Sequence, residues 1–78
     1  MHVRPLSTAL KCLDLLDVLA RQPAPMRLTE IGRLIGASRA TAYQRLLTLV
    51  TAGWVDRLPD GGYRLSTRAC RIGASALA

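Results

Sequence analysis

Gly36, Ala37 and Ser38 leave almost no room between two helical segments, and that brevity constrains the rest of the chain. The segment 29–36 (Thr-Glu-Ile-Gly-Arg-Leu-Ile-Gly) opens on Thr29, an N-cap residue type. Glu30 comes next in the first turn, where a negative charge favours the positive end of the helix dipole. Ile31, Leu34 and Ile35 supply its inward face, and Gly36 supplies a left-handed C-terminal position that a side chain would resist. Ser38 then caps a second segment, 38–52, in which Ala42, Leu46, Leu49 and Val50 recur at helical spacing. So short a link forces the two helices to cross steeply, the condition that defines a helix-turn-helix.

The chain beyond residue 52 is strand-like. Gly53 ends the helix, and Trp54–Leu58 and Tyr63–Ser66 flank the turn Pro59-Asp-Gly-Gly62, a good hairpin signal. Tyr63 and Leu65 alternate with Arg64, so Arg64 points away from its neighbours. Met26-Arg27-Leu28 is apolar-polar-apolar and fits a short strand pairing with this ribbon. The expected fold is mainly α with a small β-hairpin: a winged helix-turn-helix, with a three-helix core and a two- or three-stranded wing sheet. The first helix should run from an N-cap at Ser7 to about Gln22, where Pro23-Ala-Pro25 stops it. Its apolar residues cover more than one face, which fits either a wide core surface or packing against a second copy of the chain. A last helix begins at Thr67 and reaches Ala78 without a cap, as a linker helix cut short or continued in a longer protein would. The expected organisation is thus a flexible arm at 1–6, the winged domain at 7–66 and the start of a linker helix at 67–78.

Length and charge narrow the function classes. A chain of 78 residues without phenylalanine holds one small domain, with a core of Leu, Ile, Val and Ala and a thin stability margin. The net charge of +6 is unevenly spread: Arg33, Arg39 and Arg45 face no acid between Ile31 and Val55. Arg57, Arg64, Arg68 and Arg71 are then balanced by Asp60 alone. That excess suits a polyanionic partner, the alternative being a basic surface that merely aids solubility. Cys12 and Cys70 belong to no metal-binding spacing and read as buried reduced thiols rather than a disulfide. The one histidine, His2, is terminal. With no paired carboxylates and no phosphate loop, neither an enzyme nor a metal or cofactor site is expected. No apolar run reaches membrane-spanning length, and Lys11, Asp14 and Asp17 interrupt any signal-like segment, so a cytoplasmic location is expected.

Sequence in a duplex is read by donors and acceptors near the N-terminal end of an inserted helix. Here that end carries Ser38, Arg39, Ala40, Thr41, Tyr43 and Gln44, with Thr48 one turn on. Gln44 can pair two-pronged with adenine, and Arg39 with guanine or a phosphate. Ala40 and Thr41 are small enough to approach a thymine methyl, and Tyr43 offers a hydroxyl. Backbone amides near Thr29 and Ser38 are natural phosphate seats. Arg45 falls between the core face and the groove face, so ion pairing, phosphate contact and snorkelling all stay open for it. Asp60, Gly61, Gly62 and Arg64 form the wing, which would follow the backbone or enter the minor groove; Arg57 is a weaker phosphate candidate and Arg4 a candidate for a minor-groove arm. The competing reading is a winged helix that docks another protein, which requires exposed apolar residues on the 38–52 helix.

The residues Ala9-Leu10-x-x-Leu13-x-Leu15-Leu16, Leu28-Thr-Glu-Ile-Gly-Arg-Leu-Ile-Gly36, Ser38-Arg-Ala-Thr-Ala-Tyr43, Leu46-x-Thr-Leu49, Ala52-Gly-Trp-Val55 and Asp60-Gly-Gly-Tyr-Arg-Leu65 together carry a resemblance. Across nearly the whole chain it resembles the N-terminal DNA-binding domain of the IclR family of bacterial transcription regulators. The resemblance implies a homodimer on a palindromic or near-palindromic double-stranded operator, reached through the 38–52 helix and the wing. It also implies dimer contacts from the first helix, at Leu10, Leu13 and Leu16, in agreement with that helix's surplus apolar surface. Two departures stand out. The family usually carries a larger C-terminal domain that binds a small-molecule effector, absent from this chain. Arg45 also stands where the family often has an aliphatic residue.

Overall fold

The computed structural model describes residues 1–78, in the order α1 (Ser7–Ala20), β1 (Met26–Arg27), α2 (Leu28–Ile35), α3 (Arg39–Thr51), β2 (Val55–Arg57), β3 (Gly62–Leu65) and α4 (Thr67–Ser75). The three strands form one antiparallel sheet in the order β1-β3-β2. Met26 pairs with Tyr63 on one side of β3, and Val55, Asp56 and Arg57 pair with Leu65, Arg64 and Tyr63 on the other. Two-residue β1 is therefore enough to turn a hairpin into a three-stranded sheet. Alternation puts Met26, Tyr63 and Val55 against the helices. Leu15, Ile31, Leu46 and Val55, one each from α1, α2, α3 and β2, are fully buried and join the four elements into one core. Leu16, Leu28, Ile35, Val50, Trp54 and Leu65 pack around it half-buried.

The turn between α2 and α3 is as tight as its spacing requires. Gly36 takes the left-handed conformation (φ 67°, ψ 32°), its amide donates to the Arg33 carbonyl, and the Ala37 amide donates to the Gly32 carbonyl. Gly32 is buried at the crossing itself. A Cβ there would stand 3.3 Å from the Ala37 carbonyl and 3.7 Å from the Ala42 Cβ, so a side chain would need the turn to give by a few tenths of an ångström. Ser38 caps α3 as expected, its Oγ accepting from the Thr41 amide at 3.1 Å. At the far end of α3 the Gly53 and Trp54 amides donate to Val50 and Leu49, turning the chain into β2. Ser66 sits at the joint between β3 and α4. It caps α4 by accepting from the Ala69 amide and donates its hydroxyl to the Gly53 carbonyl at 2.6 Å.

Several boundaries differ from the sequence reading. Leu6, not Ser7, occupies the cap position of α1, with no side-chain cap bond, and the helix ends at Ala20 rather than Gln22. Gln22 instead folds back, its Nε2 donating to the Val18 carbonyl at 3.1 Å. Leu28 is helical and Arg27 is the cap residue of α2, so Thr29 lies inside the first turn and caps nothing with its side chain. Pairing with β3 holds Arg27 extended (ψ 156°), and the strand then runs straight into the helix with no separate capping loop. Leu34 faces outward, 58% exposed, because Leu28, Ile31 and Ile35 already fill the inward stripe of a helix of eight residues. Cys12 is buried, but Cys70 is exposed and both thiols are free. α4 buries no residue, packing chiefly on β3, and Cys70, Ile72 and, beyond the helix, Leu77 are exposed.

Candidate nucleic-acid interface

The core claims Ala42, Leu46 and Leu49 on one side of α3, which leaves the opposite side to solvent. Ala40, Gln44, Leu47 and Thr51, spaced by four, three and four residues, form the outermost ridge, and all four are exposed. To one side lie Arg39 and Tyr43, both exposed; to the other lie Thr41 and Arg45, both half-buried, and exposed Thr48. Ser38 is exposed but committed: besides capping, its hydroxyl donates to Thr41 Oγ1 at 2.9 Å. The Thr48 and Thr51 hydroxyls donate back to the Gln44 and Leu47 carbonyls at 2.9 and 2.7 Å, which uses their one donor each within the helix. Gln44 is thus the one ridge residue carrying both a free donor and a free acceptor.

Between α3 and the wing lies an open cleft of about 360 Å³. Arg27, Arg39 and Arg57 line it with the side chains of Thr29 and Tyr43, and no acidic residue does. Leu28 and Tyr63 line it too, so three arginines border a groove that also meets core-packed side chains. A like-signed cluster in such a place is held by covalent positioning on three separate elements, and a bound anion relieves its repulsion. Arg27 was not singled out from the sequence. It belongs here because Nη1 donates to the Asp60 carbonyl at 2.6 Å, which ties β1 to the wing tip and holds the guanidinium at the mouth of the cleft. Its position just before α2 on a polar-out strand site was the available signal.

The opposite flank of α3 faces α1. Thr8, Lys11, Thr41, Gln44, Arg45 and Thr48 line a second, smaller depression, and Lys11 and Arg45 also border the adjoining groove beside Asp14. Arg45 is therefore neither in the core nor on the ridge: it lies half-buried beside Lys11 and adds a second cationic flank.

The wing turn is internally built. Asp60 Oδ1 accepts from the Gly62 amide at 2.9 Å, Leu58 and Gly62 bond across the turn at 2.7 Å, and Gly61 has φ 91°. Gly62 is buried with its amide so used, and of the turn residues Asp60 alone is fully exposed beyond Pro59. Arg64 is exposed but does not join the cleft. It stands beside Asp56 on the sheet's outer face, bordering the Pro23–Pro25 loop, while Arg57 on the neighbouring strand turns toward α3. On α1, Leu10 and Leu13 are about half exposed (49% and 51%) and Leu16 is half-buried against the core.

Residues 8–59 match the model of the IclR helix-turn-helix domain, two thirds of the chain. The chain belongs to the IclR family. Over 64 residues it is 33% identical to the HTH-type transcriptional regulator XynR of Escherichia coli (strain K12), a match covering 81% of this chain and 25% of that protein. An IclR transcriptional regulator from Alicyclobacillus acidocaldarius superposes with a TM-score of 0.83 at 25% identity, over 94% of this chain and 30% of the other. HmgR of Pseudomonas aeruginosa shares the fold with a TM-score of 0.84 at 23% identity, over 92% of this chain and 30% of the other. The IclR helix-turn-helix is a DNA-binding domain of transcriptional regulators, and this chain spans about a quarter to a third of the length of the regulators it matches. No helix in it is long and apolar enough to cross a membrane.

Proposed function

We propose that this IclR domain binds double-stranded DNA sequence-specifically, with α3 in the major groove and the wing turn on the backbone or adjacent minor groove. The observation that carries this reading is the order of surfaces across α3: a ridge without charge lies between two cationic flanks. Arg27, Arg39 and Arg57 form one flank, Lys11 and Arg45 the other. A helix seated in the major groove meets base edges at its ridge and the two phosphate walls at its flanks. The amides at the starts of α2 and α3, near Thr29 and Ser38, add phosphate seats. Tyr43 and Thr41 border the ridge on either side, and Arg64, on the outer sheet face, serves a duplex only where it bends round the wing.

The half-exposed Leu10 and Leu13, with Leu16 beneath them, are the proposed contacts with a second copy, so that two ridges meet a palindromic or near-palindromic operator. In this reading residues 1–6 are an arm, 7–66 the winged domain and 67–78 the start of a linker helix. A small-molecule effector would act only through a domain outside this chain, and the protein works in the cytoplasm. The exposed Leu47 and Tyr43 of α3, with Leu34 of α2, are what a protein-docking module would share.

The test is backbone-amide NMR of the labelled chain with a random-sequence duplex at low and moderate salt. Salt-sensitive shifts confined to 27–29, 38–48 and 57–62 are expected. Shifts spread thinly over every arginine, or none at all, would replace this reading with the docking one.

A further inference from the structure

We infer that the ridge of α3 reads a run of A·T base pairs, with Gln44 on an adenine and Leu47, flanked by Ala40 and Thr51, on thymine methyl groups. The inference rests on the DNA-binding reading and adds the chemistry of the bases recognised. Ala40, Gln44, Leu47 and Thr51 all lie on the line opposite the buried stripe, and none carries a charge. The cations that border α3 in the two side clefts, Lys11 and Arg45 on one side and Arg27, Arg39 and Arg57 on the other, all lie off that line. The common specific contact to guanine, a two-pronged arginine or lysine on O6 and N7, is therefore missing from the ridge.

The chemistry that the ridge does offer is limited and definite. Gln44 is the residue type that pairs two-pronged with adenine N6 and N7. The Thr48 and Thr51 hydroxyl protons are already donated to the helix's own carbonyls, so these residues offer a methyl group and an acceptor oxygen but no donor. Leu47 is 48% exposed although it lies in the middle of a helix that buries three other apolar side chains. Such a side chain in the major groove finds one apolar partner on base edges, the thymine C5-methyl. From Ala40 to Leu47 the helix advances about 10 Å, the rise of about three base pairs, with Gln44 in between.

The test uses two pools of duplexes with a randomised centre, one made with thymine and one with deoxyuridine throughout, which differ only in the C5-methyl group. The chain is equilibrated with each at low salt, and the retained duplexes are sequenced. From the thymine pool, enrichment of adjacent A·T pairs around one required adenine is expected. In the uracil pool the preference should fall about fourfold for each methyl lost, the scale of one buried methylene. Leu47→Ala should show the same fall on the thymine pool and no further fall on uracil, and Gln44→Ala should lose the required adenine. Unchanged circular dichroism of both variants, whose substituted side chains are exposed, confirms that they fold. Equal enrichment from both pools, or G·C pairs beneath the ridge, overturns the inference and leaves DNA binding intact. Retention from neither pool overturns DNA binding itself and leaves Leu47 as a docking residue.

Discussion

Gly36 shows how much of a small fold can hang on one α-carbon. Nothing lies within 4 Å of where its Cβ would be, so any cost of a side chain there is purely conformational. Gly36→Ala is therefore expected to destabilise the domain by about 1–2 kcal/mol, the cost of left-handed backbone for an L-residue, seen as a lower urea midpoint at unchanged slope. Leu46 has no exposed surface, and Leu46→Ala should cost more, about 2–5 kcal/mol by the same measurement. Both residues were legible in the sequence, because a left-handed cap and a core period each follow from local rules. Leu34, Cys70 and Thr29 were not. Whether an apolar residue at the margin of a short helix turns inward depends on what stands opposite, and neither α4, which buries no residue, nor the outer side of α2 is covered. Arg27 was missed for a related reason: its role comes from a contact to Asp60, thirty-three residues away.

Among the elements, the link between α2 and α3 is held by local bonds, and the wing turn by local bonds together with Arg27. Ser38→Ala removes the acceptor for the Thr41 amide and should cost about 1 kcal/mol of stability. It should also increase hydrogen exchange in the first turn of α3, while the wing stays protected. Asp60 and Arg27 do for the wing what Ser38 does for α3, one by bonding the Gly62 amide and the other by holding the Asp60 carbonyl. The wing was readable as a hairpin from Pro59-Asp-Gly-Gly62, but which arginine it would turn toward α3 was not. Register decides that. With Arg57 opposite Tyr63 and Asp56 opposite Arg64, Arg57 shares the helix-facing side of the sheet and Arg64 shares the other. Arg57→Ala should accordingly flatten the salt dependence of duplex binding by about one unit, and Arg64→Ala by less; fluorescence anisotropy across a salt titration measures both.

For the whole molecule, charge and shape point the same way. Of eleven Lys and Arg residues, five line the two clefts beside α3: Lys11, Arg27, Arg39, Arg45 and Arg57. If all five meet phosphates, the logarithmic salt slope per chain approaches about −4.5, and a value twice as steep would bring in arginines of the far side. Replacing Leu10 and Leu13 together by serine should leave the fold intact, since both are half exposed, while lowering self-association in sedimentation velocity. Binding to a palindrome should drop more than binding to a single half-site, because the second contact is then no longer held nearby. The Ser66 oxygen has a mechanical consequence at this scale. It accepts the Ala69 amide of α4 at 3.4 Å and gives its proton to the Gly53 carbonyl just beyond α3, while the Ser66 amide donates to the Trp54 carbonyl, so the start of α4 and the end of α3 are tied at one residue. Displacing α4 would strain these bonds or tilt the foot of α3, so a change in the direction of α4 would also change the angle of the ridge.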